Sequence, residues 1–311
     1  MLFTSRLSAG VVLVMSTFLV ATGTAGAGAH EPAGMLTLRQ AVDKALASNP
    51  AIEAAGLTVD VQRAARDVAA LGTQYQINTD VQDIFGTGVL EGFDGAETTV
   101  QLARTVELGN KRRFREELGN AQVAQAELGV TQQLLDVAAE VSRRYAQVLR
   151  SQQRLTLASE TLSLNERTLD SVTRRYEVGR ASEADRAFAQ VAVSRVELIA
   201  QRLRYELDGE KARLAAMWAA DAPDFSAVAG DLFRTPQIAT FEQLADRLDG
   251  NVSLLQLDRQ VAVNEAGRRL AESAKSPNLQ LSGGVRHFSL IDETAFVVSF
   301  GIPLGLSLIH I

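Results

Sequence analysis

Among the side chains that can ligate a metal or carry a nucleophile, this chain of 311 residues offers three histidines and no cysteine. Without cysteine there are no disulfides, no thiolate zinc sites and no cysteine nucleophile. His30, His287 and His310 stand far apart, with neither an i,i+4 partner nor a nearby carboxylate cluster of the kind a zinc site needs. The glycine-rich fragments "GTG" (86–88) and "SGG" (282–284) lack the strand-then-helix setting of a phosphate loop and read as turns or small strand positions. No Ser/His/Asp arrangement can be drawn. The net charge of −6 gives no clustered basic surface for nucleic acid. The expectation is therefore a protein that is not an enzyme, with no catalytic residue, no cofactor and no metal ligand. Its function must lie in the shape and faces of its elements.

Two short stretches stand out from an otherwise helical pattern. "YQINTDVQDIFGTG" (75–88) and "PNLQLSGGVRHFSL" (277–290) alternate apolar and polar residues as half-buried strands do. Each has a partner beyond a turn: "AETTVQLARTVELG" (96–109) and "AFVVSFGIPLG" (295–305). Tyr75, Ile77, Thr79 and Val81 share one face, opposite Gln76, Asn78, Asp80 and Gln82. Phe296, Val298, Phe300, Ile302 and Leu304 likewise share a face, opposite Val297, Ser299 and Gly301. A lone hairpin is marginal in water, so these strands must join something larger.

The strands belong to a repeated unit. "TLRQAVDKALASNPAIEAAGLTVDVQRAARDVAALG" starts at Thr37 and "TFEQLADRLDGNVSLLQLDRQVAVNEAGRRLAESAK" at Thr240. Each reads as a Thr N-cap, a short amphipathic helix, a turn and a longer helix. Aligned on Asn49 and Asn251 (251 − 49 = 202), Val59 falls on Val261, Ala64 on Ala266, Arg66 on Arg268, Ala69 on Ala271 and Ile77 on Leu279. Between the copies, the stretch from Lys111 to Val178 has no proline. Leu134, Val141, Val148, Leu155, Leu162, Leu169 and Tyr176 recur every seven residues, which predicts coiled-coil packing. Ala184, Val191, Leu198, Tyr205 and Ala212 form a second such set. In "EVGRASEAD" (177–185), Gly179 can end one helix, Ser182 can cap the next, and Glu183 and Asp185 favour its N-terminus. The expected element is an antiparallel helical hairpin over 111–218.

At the N-terminus, Arg6 precedes an apolar run from Leu7 to Ala21 and a small-residue tail with Ala27-Gly28-Ala29. This reads as a cleaved signal peptide over 1–29, because a run of about 15 residues falls short of the ~20 that a spanning helix needs. At the other end, Leu306 to Ile311 supply no basic helix start after "PLG". They are expected to be a non-native tail on a truncated second copy, the alternative being a strand that simply continues.

The segments "LTLRQAVDKALASNPAI" (36–52), "RYEVGRASEAD" (175–185), "FEQLADRLDGN" (241–251) and "FGIPLG" (300–305) resemble the outer-membrane efflux protein family, the TolC-like channels of tripartite exporters. The junction "ARTVELGNKRRFREEL" (103–118) looks most like the subgroup serving cobalt–zinc–cadmium exporters. The resemblance runs from Leu36 to Gly305, with a first repeat over 36–239, whose β-hairpin is 75–106, and the start of a second over 240–305, whose hairpin is 277–305. It implies a mainly α fold with a transmembrane β part: long helical hairpins forming a periplasmic α-barrel, and four strands per protomer given to a β-barrel shared in the outer membrane of a Gram-negative bacterium. It implies a homotrimer that is a passive conduit for metal ions or drugs, with a periplasmic adaptor protein, an inner-membrane pump and outer-membrane lipid as partners. Val178, Gly179, Arg180, Ala181 and Ser182 would form the tip that meets the adaptor. Phe296, Val298, Phe300 and Ile302 would face lipid, and His287 would be a pore-facing or turn residue. The basic cluster Lys111, Arg112, Arg113 and Arg115 would lie at the periplasmic edge of the membrane. A periplasmic adaptor and a secreted structural coiled coil are the competing classes. The first should show a lipoyl-like β domain beside the hairpin, and the second would need neither repeat nor amphipathic strands.

Overall fold

The computed structural model describes residues 34–234 and 239–303. The signal-peptide segment, Leu304 and the 306–311 tail lie outside the described residues. The chain runs β1 (Met35–Leu36), α1 (Leu38–Ser48), α2 (Pro50–Ala69), β2 (Tyr75–Gln82), β3 (Glu97–Val106), α3 (Lys111–Glu177), α4 (Glu183–Ala215), β4 (Ala227–Val228), α5 (Phe241–Ala245), α6 (Val252–Ser273), β5 (Leu279–Phe288) and β6 (Glu293–Gly301). Helix α3 has 67 residues, which at ~1.5 Å per residue makes a rod on the order of 100 Å long. Among the described residues, no helix is long and apolar enough to cross a membrane.

The openings of the two helical pairs are built alike. Thr37 caps α1 through a capping box with Gln40, and Thr240 caps α5 through the same box with Gln243. Asn49 and Asn251 then cap α2 and α6, each accepting from a backbone N–H two residues on, Ala51 at 2.9 Å and Ser253 at 2.8 Å. Their packing differs. Helix α1 buries Ala41 and Ala45 completely against α3. Helix α5 has only five residues and buries none of them.

The hydrophobic core sits where α1, the middle of α3 and the end of α4 meet. It contains Ala41, Ala45, Val137, Val141, Tyr145, Val148, Leu207, Leu214, Trp218, Phe225 and Val228. Full burial of a Val or Leu side chain contributes roughly 1.5–3 kcal/mol, so this cluster is the main anchor of the helical part. The two-residue parallel ribbon β1–β4 closes over it. Side chains satisfy the ribbon's spare backbone groups: Tyr145 donates to the Leu36 carbonyl at 2.8 Å, while Gln152 accepts from Val228 N at 2.8 Å and donates to its carbonyl at 3.1 Å. A smaller cluster of Ala158, Ala200 and Leu203 continues the seam toward the tip, with Leu155 packed against both clusters.

On α4 the structure corrects the expected register. Val191, Leu198 and Tyr205 are 64%, 68% and 69% exposed, and Ala184 and Ala212 are exposed as well. The seam with α3 is made instead by Val193, Ala200, Leu203, Leu207 and Leu214. Both sets are apolar, and in the buried one Val193, Ala200, Leu207 and Leu214 are likewise spaced by sevens, with Leu203 between them. The buried one leads directly into the Met217–Trp218 corner of the core, so closure of that corner sets the rotation of α4.

The four longer strands form one antiparallel sheet in the order β2-β3-β5-β6, the two hairpins joined by β3 against β5. The outer edges of β2 and β6 have no strand partner among the described residues.

Candidate functional site

Register assigns every strand residue to a face. Ile77 pairs with Leu102, Leu102 with Gly283 and Gly283 with Val298. The next row toward the hairpin turns is Thr79, Val100, Val285 and Phe296, and the row on the other side, nearer the helices, is Tyr75, Arg104, Leu281 and Phe300. The apolar faces of the two hairpins thus merge into one continuous surface. The opposite face carries Asn78, Gln101, Gly284 and Val297 in one row and Asp80, Thr99, Arg286 and Ala295 in the next.

Exposure runs against what water would select. Phe296, Val298 and Phe300 are 91%, 83% and 79% exposed, whereas the polar-face Thr99 is 2% exposed. Ile302, just past the end of β6, is also exposed. The polar face is knit together: Ser282 donates to Gln101 at 3.0 Å, and Arg286 donates to Thr99 at 2.9 Å and pairs with Glu97 at 3.1 Å. At Gly284 any Cβ would stand 2.1 Å from the Val100 carbonyl oxygen, so only glycine allows this approach of β5 to β3. Of the two placements expected for His287, the structure gives the one beside the turn: it pairs with Thr98 and Thr294 in the last rows before it, on the apolar-face register and not the polar one.

At the helical end of the sheet, Arg115 grips both oxygens of Glu107, at 2.6 and 2.9 Å. That bidentate hydrogen bond, with the charges of Lys111 and Arg112 nearby, holds the Glu107 carboxyl below the usual range. Arg115 also donates to the carbonyls of Ala69 and Leu71, and Arg112 to that of Ala70, closing the end of α2. Lys111 donates to the Ser276 carbonyl and to Asn278, tying α3 to the α6–β5 link. The basic cluster therefore fastens both helix–strand junctions together. Among the described residues, no group of three or more His, Cys, Asp or Glu could hold a metal.

The far end of the helical hairpin is the tip. Gly179 has φ +69, its N–H donates to the Tyr176 carbonyl at 2.9 Å, and Arg180 N donates to the Arg175 carbonyl at 2.7 Å. This is a Schellman closure. Ser182 then caps α4 in a box with Asp185, a partner the sequence reading took only as favourable charge. The Ser182 hydroxyl and N–H donate to the Asp185 carboxylate and hold its pKa below the ordinary value. Arg186 lies 4.6 Å from the Tyr176 ring centroid and clasps the two arms. Val178, Gly179, Arg180 and Ser182 are exposed and Ala181 half-buried. Along the α3 seam, Val141 and Val148 are fully buried, and Leu134, Leu155, Leu162, Leu169 and Tyr176 are half-buried.

A family model described as "Outer membrane efflux protein" matches residues 41–220. The cobalt-zinc-cadmium resistance protein CzcC of Cupriavidus metallidurans is 26% identical over 283 residues, covering 89% of this chain and 65% of that protein. The nickel-cobalt-cadmium resistance protein NccC of Alcaligenes xylosoxydans is 23% identical over 301 residues, 96% of this chain and 67% of that one. This chain thus spans about two thirds of the length of these relatives. The crystal structure of the outer membrane protein VceC of Vibrio cholerae shares the fold with a TM-score of 0.64 at 15% identity, over 87% of this chain and 68% of that one.

Proposed function

The chain belongs to the outer membrane efflux protein family, and from that premise we propose that it is a protomer of an outer-membrane channel through which an inner-membrane pump, coupled by a periplasmic adaptor, expels metal ions. The observation that carries this reading is the reversed exposure of the sheet. An apolar face of Phe296, Val298, Phe300, Ile77 and Leu102 is left open, while on the polar face Thr99 is buried and Gln101, Ser282 and Arg286 are half-buried and bonded to one another across the strands. Hydrocarbon favours that arrangement and water opposes it.

Lipid also forbids open sheet edges, because unpaired N–H and C=O groups find no water there. The free edges of β2 and β6 in one protomer therefore call for strands of neighbouring copies, and a homotrimer would close the ring with four strands from each. The second apolar stripe of α4, Val191, Leu198 and Tyr205, fits the same assembly, since it can pack on a neighbouring protomer's helices as Val193 and Leu207 pack on α3. The two helical openings, with matched Thr and Asn caps, fit descent from one duplicated unit. The exposed tip, Val178 to Ser182, is the surface proposed to meet the adaptor. The metal-ion cargo rests on the two relatives named for cobalt, zinc, cadmium and nickel resistance.

Membrane fractionation tests the reading. Recovery of the protein from the outer membrane as a heat-dissociable trimer, together with restored metal tolerance in a strain lacking its own channel, is the expected result. Recovery as a soluble monomer would overturn it.

A further inference from the structure

We propose that the helical end of the sheet's apolar face is a binding site for one glycerophospholipid. The phosphate would be held between Arg104 and Arg112 and an acyl chain laid along the trough over Gly283. The inference rests on the outer-membrane reading above.

Arg104 is the one cation within the apolar rows of β2, β3, β5 and β6. Its guanidinium lies 4.6 Å from the centroid of the Tyr75 ring and donates to the Tyr75 hydroxyl at 2.8 Å. It has no carboxylate partner among the described residues. A Cβ built on Gly72 would stand 3.9 Å from Nη2 of Arg104 and 4.0 Å from Nη1 of Arg112, so a terminal nitrogen of each guanidinium borders the small space that Gly72 leaves unfilled. The nearby acid, Glu107, has both oxygens engaged by Arg115 and does not neutralise the pair. A terminal nitrogen of each of two guanidinium groups beside one gap gives a tetrahedral phosphate two donors, to which guanidinium binds with short charge-assisted hydrogen bonds.

The apolar half of the site adjoins that gap. A groove of about 340 Å³ is lined by Tyr75, Leu102, Arg104, Val106, Leu281 and Gly283. A side chain at Gly283 would meet nothing within 4 Å, so its absence leaves a trough between Leu102 and Val298, whose residues pair with it on either side. Tyr75 stands where an aromatic ring with a polar tip is favoured, between headgroup and hydrocarbon. A lipid in the adjacent leaflet would thus meet cation, phenol and trough in the order in which its own headgroup and chain are arranged.

The test uses the purified, delipidated full chain in detergent micelles, with bound lipid counted by native mass spectrometry. The wild type should retain phosphatidylglycerol. The double variant Arg104→Ala/Arg112→Ala should retain it about 25-fold less, at about fivefold for each cation near a lipid surface. Arg113→Ala, whose side chain pairs with Glu117 at 3.4 Å, should match the wild type. Diacylglycerol with the same chains should not be retained, and millimolar inorganic phosphate should not displace the lipid. Equal retention by the wild type and the double variant would overturn the site, and so would complete displacement by phosphate, which would leave a bare anion site. If the double variant fails to fold, preference of the wild type for phosphatidylglycerol over diacylglycerol decides the question. Loss of that preference in a protein still recovered from the outer membrane sinks the lipid site alone. Retained lipid on a chain absent from that membrane keeps the site and sinks the channel.

Discussion

The helical core and the sheet carry apolar stripes of similar character and turn them in opposite directions. In the core, Val141, Val148 and Leu214 are fully buried between α3, α4 and α1. In the sheet, Val298 and Phe296 lie bare while Thr99 is buried and its partners Arg286 and Glu97 are half-buried. One chain therefore answers two solvents. Where water surrounds the helices, burial of apolar area stabilises them. Where hydrocarbon surrounds the strands, exposing the same kind of side chain costs nothing, and the polar groups must find each other. The proposed membrane boundary falls where the sense reverses, between the Tyr75–Arg104 row and the Glu107–Arg115 pair.

The largest effect should come from charging the core side of the comparison. Val148→Asp places an unpaired carboxylate at a fully buried position, which costs more than the roughly 2–7 kcal/mol of a neutral polar group stranded there. That is comparable to the whole stability of an ordinary domain, so no folded protein should be recovered. Gln153→Asp, one helical turn away on the exposed side, should melt within a degree or two of wild type. Gln152 is unsuitable as a neutral control because it pairs with both backbone groups of Val228. Equal melting of the Val148 and Gln153 variants in detergent would remove the core assignment.

Next in size is the same operation on the sheet. Val298→Arg should cost roughly 2–4 kcal/mol at mid-membrane and lower the yield of assembled protein in the outer membrane. Ser299→Arg points to the polar face and should be far milder. In water neither change should cost much, since Val298 is 83% exposed and Ser299 is exposed as well. Similar yields from the two variants would mean that the sheet does not sit in lipid.

A smaller effect separates the two helical openings. Counted from their Thr caps, Ala41 and Ala45 of the first correspond to Leu244 and Leu248 of the second. The alanines are 0% exposed and let α1 lie close on α3, while the leucines are 49% and 54% exposed. Ala41→Leu should overpack that contact by about 1–3 kcal/mol. Leu244→Ala should leave the melting temperature of this chain within about a degree, because it removes little burial. A large loss from Leu244→Ala would show that α5 is covered after all.

These contrasts also explain what could be read from sequence. The strands, the caps and the seven-residue spacing of Val141 and Val148 depend on residues near one another in the chain, so local pattern reveals them. The joining of β3 to β5 brings Val100 to Val285 across most of the chain, and no local pattern encodes it. On α4 two apolar stripes share the same period, and only packing at Trp218 distinguishes the buried one. Gln152 and Arg104 were missed for a related reason. Each is a polar residue whose contacts come from a neighbour distant in sequence, Val228 in one case and Gly72 and Tyr75 in the other.

The smallest effect lies at the tip, which belongs to neither side of the contrast and shows what a water-facing end looks like in this chain. Gly179→Trp puts a side chain at φ +69, a strain of about 1–2 kcal/mol for an L residue, into open space. On the channel reading proposed above, the trimer should persist while crosslinking to the adaptor and metal resistance fall, and Arg180→Lys should keep both. Full resistance with Gly179→Trp would reduce the tip to a turn.

The tip should also respond to acid. Asp185 is held below its usual range by Ser182, so its capping contribution is complete above the ordinary aspartate range and is lost as pH falls through the depressed folded value. Hydrogen exchange at the first-turn amides of α4, the Asp185 amide among them, should therefore speed up relative to the core only under strong acid. In Asp185→Asn that pH dependence should flatten. Exchange that accelerates equally in the variant would mean the carboxylate does not hold this end of the helix.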